Sequence, residues 1–330
     1  VLALLLGALL LGNPGFGRAA DGTPASAAAP LFTRHVEAVF SRLGCNAGTC
    51  HGAVKGQNGF KLSLFGADPA QDHERLLRES GGRRLDLLHP DASLLLLKAT
   101  GRTLHPGGKR TAVGSPEYQL LSRWIAAGSP GDSPERSRVT RLHIRPAEQT
   151  ARPGESYRLG VEATFADGTV EDVTQLCSYE SLDSSVATVG ADGQVTARGV
   201  GATAVLARYR AEPAIAMFTV PRHSERPFPE ITPHNFIDRH VLDMLRRLNI
   251  PPADLADDAT FLRRVSLDVT GELPTPAEVR KFLGDKDAEK RAKKIDELLQ
   301  RPGQAALWTL KFCDLLKASD FGVYADGIRQ

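Results

Sequence analysis

The chain has 330 residues, enough for two to three domains. Its 41 Lys and Arg stand against 39 Asp and Glu, a net charge of +2, which argues against nucleic acid as the main partner because such binding needs a clustered cationic excess. Four cysteines are too few for a disulfide scaffold.

Residues 1–12 are an apolar run of signal-peptide length, shorter than the ~20 apolar residues of a membrane span. Gly17, Ala19 and Ala20 offer a cleavage site, so 1–20 reads as an export signal, with an N-terminal anchor as the alternative. No other stretch is apolar enough to span a bilayer, so no membrane span is expected after cleavage. No Met or basic segment precedes the run, and the sequence is expected to be truncated there. Residues 21–30 are small and polar and read as a linker.

A first domain is expected over 31–131 and is predicted to be all-α. Val36, Val39, Phe40 and Leu43 recur at helical spacing just before Cys45. Ser115-Pro116 reads as N-cap and first helical residue of a closing helix, with Leu121, Trp124 and Ile125 on one face and Gly128 as its stop. His35 and His73 sit among polar positions and are expected to be solvated, as are the basic pairs Arg83-Arg84 and Lys293-Lys294. Trp124 and Trp308 are expected in the cores.

Over 138–221 the pattern turns to period two, with turn pairs Asp167-Gly168 and Asp192-Gly193, which predicts a β-sandwich. Asp167, Asp172 and Asp183 match no calcium loop and read as turn residues. Cys177 is expected as a small buried hydrophobe and Cys313 on a helix face, not paired to each other. Residues 222–233 form a Pro-rich linker, and 234–330 read as an all-α helical domain, itself expected to be truncated. There Phe236, Ile237, Val241, Met244, Leu245 and Leu248 line one face, Asp257-Asp258 cap a helix, and Thr275-Pro-Ala-Glu278 is a capping box. Asp257, Asp258, Arg263, Arg264 and Asp268 are the polar residues an enzyme would use, but they read as caps and surface ion pairs. No catalytic motif appears.

The chemistry concentrates in Cys45-Asn-Ala-Gly-Thr-Cys50-His51-Gly52. Covalent haem attachment needs two thiols for the porphyrin vinyl groups and a His directly after the second Cys as the proximal iron ligand. Four residues separate the cysteines here instead of two, and Gly48 is expected to let the longer loop fold back. A local Cys45–Cys50 disulfide, or a zinc site using both Cys, His51 and another His, are the alternatives.

Leu104-His105-Pro106-Gly107-Gly108 followed by the closing helix resembles the end of small soluble cytochromes c, where a Met ahead of Pro binds the iron. His105 stands in that place and the first domain has no Met, so the resemblance implies one haem c with His51 and His105 as axial ligands, His89 being the rival to His105. The stretch from Cys45 to Gly66, with Leu94-Leu-Leu-Leu-Lys-Ala-Thr-Gly, resembles the cytochrome-c-like start of large exported planctomycete proteins. Phe165-Ala-Asp-Gly-Thr-Val-Glu-Asp-Val-Thr174 and Val186-Ala-Thr-Val resemble the bacterial Ig-like domain, group 2. Asp258-Ala-Thr-Phe-Leu-Arg-Arg-Val-Ser-Leu-Asp-Val-Thr-Gly-Glu-Leu-Pro-Thr-Pro resembles the domain of unknown function that follows in those proteins. The resemblance implies an exported, envelope or cell-surface protein with haem-mediated electron transfer. It names no redox partner and allows a surface polysaccharide or protein on the Ig-like block. The alternative function is a non-redox surface or binding protein that keeps Cys45–Cys50 as a disulfide.

Overall fold

The computed structural model describes residues 29–224 and 227–318, so the expected export segment lies outside the described residues. The chain divides into two compact units, the first closing at Ile250 and the second opening at Pro251.

In the first unit a π turn, Phe32–Val36, runs into α1, Glu37–Arg42. Phe32, Val36, Val39 and Phe40 are buried, as their spacing requires. Then come α2 (Pro69–Leu77), α3 (Leu94–Ala99) and α4 (Pro116–Ala126). Asp68 caps α2 by accepting from the Gln71 amide, and the Ser115 hydroxyl caps α4 by accepting from the Tyr118 amide. Gly128, at φ +85°, ends α4. The core holds Phe32, Phe40, Leu62, Leu76, Leu96, Leu121 and Trp124, whose indole donates to Pro130 O at 3.0 Å. His73 belongs to this core's edge and is not solvated: its ring meets Phe32 and Trp124, and Nε2 pairs with Ser129 O at 2.9 Å.

The strands are β1 (Val139–Arg145), β2 (Glu148–Thr150), β3 (Ser156–Arg158), β4 (Gly160–Phe165), β5 (Val170–Asp172), β6 (Ser178–Ser181), β7 (Ala187–Val189), β8 (Gln194–Ala197), β9 (Gly201–Tyr209) and β10 (Glu212–Val220). They pair in the orders β1-β4-β5, β2-β10-β9-β6 and β3-β8-β7, with only β2 and β10 parallel among them. Alternation delivers the sandwich interior: Val161, Ala163 and Phe165 of β4 face Val205, Ala207 and Tyr209 of β9 in one buried cluster. Asp167-Gly168 and Asp192-Gly193 turn β4 into β5 and β7 into β8, with the glycines at φ +84° and +78°. Asp172 and Asp183 cap the amides of Thr174 and Ser185, as expected of turn residues. Cys177 is buried, and burial pushes its thiol up to about 12.

The helical block and the sandwich share an interface that separate domains joined by a linker would lack. Ala38 of α1 lies in the sandwich core. Arg34, its side chain 4% exposed, pairs with Asp167 at 2.5 Å and Glu171 at 2.6 Å and stacks on Phe165 at 4.0 Å. Thr169's hydroxyl and amide, then Arg34, hold the Asp167 carboxyl down at about 2. Asp167 is therefore an ion-pair residue as well as a turn residue. His35, read as solvated, bonds Glu171 at 2.9 Å through Nε2. Arg42 donates to Cys177 O and, at 2.7 Å, to Ala191 O. Arg210 donates to Thr33 O and Ser137 O, and Tyr209 to Arg34 O.

Helix α5, Phe236–Leu248, belongs with the first unit: Arg222 N donates to Leu248 O at 2.8 Å, and Arg247 pairs with Glu148 at 2.9 Å. The second unit comprises α6 (Asp258–Thr270), α7 (Pro276–Gly284), α8 (Lys290–Leu299) and α9 (Pro302–Leu315) around Leu262, Phe282 and Leu298. Asp257 caps α6, Asp258 pairs with Lys290 and Arg291, and Thr275 and Glu278 form the full capping box. Arg263, Arg264 and Asp268 are exposed. Lys294 departs from the solvated reading: it is 8% exposed, between Glu278 and Glu297. Trp308 departs from the core reading, at 47% exposure on α9. Among the described residues no helix is long and apolar enough to cross a membrane.

Removing the Arg34 guanidinium leaves two carboxylates facing a buried interface. Arg34→Ala is expected to cost about 3 kcal/mol, read as a lower urea midpoint; a change below about 0.5 kcal/mol would show that the ion cluster does not hold the interface.

Candidate functional site

After Arg42 the chain reverses at Gly44, φ +73°, and Cys45 N donates back to Phe40 O at 2.8 Å. The insertion between the cysteines winds into nested turns: Cys50 N to Ala47 O at 2.9 Å, His51 N to Cys45 O at 3.0 Å, Gly52 N to Ala47 O at 3.1 Å. The longer spacing is thus absorbed in one compact turn that brings the His51 amide back to the Cys45 carbonyl. The glycine this turn requires is Gly52, because a Cβ there would lie 2.1 Å from Asn46 O. Gly48, expected to carry that role, has room for a side chain and an ordinary φ.

His51 is oriented by the backbone. Its Nδ1 donates to Phe60 O at 3.0 Å, and its own carbonyl accepts from Leu62 N at 2.8 Å. Burial holds the ring's pKa below the ordinary histidine value, so Nε2 is left as a neutral lone pair. His105 is held in the same way: Nδ1 donates to Gly108 O at 2.8 Å across the Pro-Gly-Gly turn, and Lys98 Nζ donates to Leu104 O. The two rings lie parallel within 6°, with centroids 6.3 Å apart. Metal-binding imidazoles commonly give their second nitrogen to a backbone carbonyl.

These groups open on a cavity of about 390 Å³, within the ~300–1,000 Å³ range of cofactor sites. Phe40, Phe60, Leu62, Leu76, Leu94 and Leu95 give it apolar walls, while Arg83, Arg84, Lys98 and Arg110 supply cations, and no Asp or Glu is among its lining residues. Arg84 is not the solvated residue its sequence context suggests: it is 6% exposed, stacks on Phe60 at 4.4 Å and donates to the carbonyls of Arg75, Glu79 and Gly59. Burial pushes the Cys45 thiol up to about 12, and the Cys50 sulfur accepts from Arg110 at 3.3 Å.

The structure therefore brings Cys45, Cys50, His51 and His105 to one pocket. It does not bring His89, whose side chain is 78% exposed beside Asp86. Cys45 and Cys50 are free thiols in this structure, and among the described residues no three His, Cys, Asp or Glu side chains group as a metal site. One cavity thus combines apolar walls, four cationic side chains, two thiols and two imidazoles.

Sequence reasoning missed an acid pair behind the loop. Glu37 and Asp72 are both fully buried. Asp72 accepts from the Ser63 amide and hydroxyl, and Asn46 Nδ2 donates to Glu37. The signal was a Glu inside the apolar stripe Val36–Val39–Phe40. Burial first, then the Asp72 charge, raises the Glu37 pKa well above the ordinary carboxylate range. A raised acid stabilises the fold fully below its unfolded pKa and loses that contribution as pH rises through the folded value. Stability should therefore fall by up to about 1.4 kcal/mol per pH unit across that window, and Glu37→Gln should flatten it. Urea titrations at a series of pH values check this; parallel slopes in the two proteins would show that Glu37 is not the titrating group.

Two family models match the chain. Residues 138–208 match the bacterial Ig-like domain (group 2), the block built of β1 to β9. Residues 236–330 match the model described as a protein of unknown function, DUF1549, from α5 onward. No curated protein matches the chain. The chain therefore joins a bacterial Ig-like domain to a DUF1549 segment, a combination that supports a protein of the cell-surface type.

Proposed function

We propose that residues 31–131 bind one covalently attached c-type haem and that the protein transfers electrons at the cell envelope. The observation that carries this reading is the parallel imidazole pair, His51 and His105, each anchored through Nδ1 to a carbonyl and each retaining Nε2. Cys45 and Cys50 would hold the group covalently, and His51 and His105 would bind its iron. When bound, the haem supplies reversible one-electron chemistry.

The chain's own residues set the conditions for that chemistry. The Phe60 and Gly108 carbonyls fix the tautomer and orientation of the two histidines. The apolar walls exclude water, and Arg83, Lys98 and Arg110 offer charge to carboxylate groups on a cofactor. The 1–20 segment and the Ig-like block support an exported location, with an acceptor or donor protein as redox partner and a surface polysaccharide or protein as a ligand of the sandwich. In the non-redox alternative the sandwich does the binding and the two cysteines close as a disulfide.

Protein made with a haem c maturation system should give a pyridine haemochrome spectrum of c type that Cys45→Ser/Cys50→Ser abolishes. His105→Met should then raise the midpoint potential, since Met/His ligation raises it. Colourless protein with both thiols oxidised would instead establish the disulfide-closed binding module.

A further inference from the structure

The acid pair behind the cysteine loop is held asymmetrically. Asp72 has two donors from Ser63, at 2.7 and 2.5 Å. Glu37 has one long contact, Asn46 Nδ2 at 3.3 Å on Oε2, while its Oε1 meets no donor. Asn46 is itself fully buried with Oδ1 unsatisfied, and Arg75 Nη1 is unsatisfied nearby, 3.6 Å from Asp72. A proton on Glu37 removes one of two like charges from this buried cluster, since Asp72 opposes the ionisation of Glu37.

The charged groups acting on Glu37 are Asp72 from α2, itself 3.6 Å from Arg75, and Arg210 from the turn between β9 and β10, with the Cys45 thiol of the loop as a further titratable neighbour. Asp72 opposes its ionisation and Arg210 favours it. The site lies next to the pocket: Asn46, which holds Glu37, is the residue after Cys45, and Cys45 lines the cavity.

Building on the haem reading above, we infer that the Glu37–Asp72 pair is a proton-binding site linked to the redox state of the pocket. At pH values where Glu37 is ionised in the oxidised form, gain of one electron from a small-molecule reductant such as dithionite is accompanied by uptake of a proton from water onto the Glu37 carboxylate, and the uptake vanishes at pH values where Glu37 is protonated in both forms. The physical cause is charge balance in a low-dielectric interior, where an added electron raises the proton affinity of a nearby buried acid. Linkage makes the effect reciprocal: a protonated Glu37 raises the affinity for the electron.

The test is a spectroscopic redox titration of the haem-loaded full chain from about pH 5 to about pH 9, beside Glu37→Gln. The wild-type midpoint is expected to fall with rising pH between two plateaus. A tenfold difference in proton affinity between oxidation states corresponds to about 59 mV for one electron. Glu37→Gln should lose this step. The same step in both proteins overturns the inference while leaving the haem intact. Asp72→Asn provides a second variant if Glu37→Gln fails to retain haem. It removes the opposing charge and should move the step to lower pH, and a step that stays in place overturns the inference. Failure to attach haem in the wild type overturns the haem reading and this inference together.

Discussion

Everything around the pocket depends on the burial of one short helix on both of its sides. Residues 32–42 place Phe32, Val36, Val39 and Phe40 in the helical core, while Ala38 reaches the core of the sandwich. Arg34 sits between them, and a guanidinium with almost no solvent can stay there only with two carboxylates and an aromatic face around it. The same helix carries Glu37 and ends directly in the loop of the two cysteines. Its position therefore sets the thiols, the histidine that follows them and the acid pair behind them.

The local parts of this arrangement were legible in the sequence. Apolar spacing located the first helix, Ser115-Pro116 and Gly128 bounded α4, the Asp-Gly pairs located two turns, and the capping box at Thr275 formed as written. Cys45, Cys50, His51 and His105, the residues the Cys-His pair and the His-Pro-Gly-Gly turn single out, all line one pocket. These features are short-range: each is decided by backbone geometry within a few residues.

Long-range polar contacts were not legible. Nothing near Arg34 in sequence announces Asp167 and Glu171, more than a hundred residues away, so the sandwich looked separable from the helical block. Arg84 and Lys294 looked like surface charges because a charged residue next to another usually is one. Each is instead buried with its charge answered, Arg84 by carbonyls and Lys294 by two carboxylates. Gly52 was passed over in favour of Gly48 because the steric demand arises only once the nested turns close around Asn46.

The carbonyl contacts of Arg42 have a consequence for how the molecule reaches outward. Arg42 stands at the end of α1, a few residues before Cys45, and donates to Cys177 O and Ala191 O on the sandwich. With Arg34 and Arg210 it clamps the pocket-bearing block to the strands at three places. The sandwich thus acts as a bracket and not a hinge: it holds the cavity in one fixed attitude to the strands. The opening of the cavity therefore keeps one direction relative to the strands, set by the three arginines and not by swinging of the helical block.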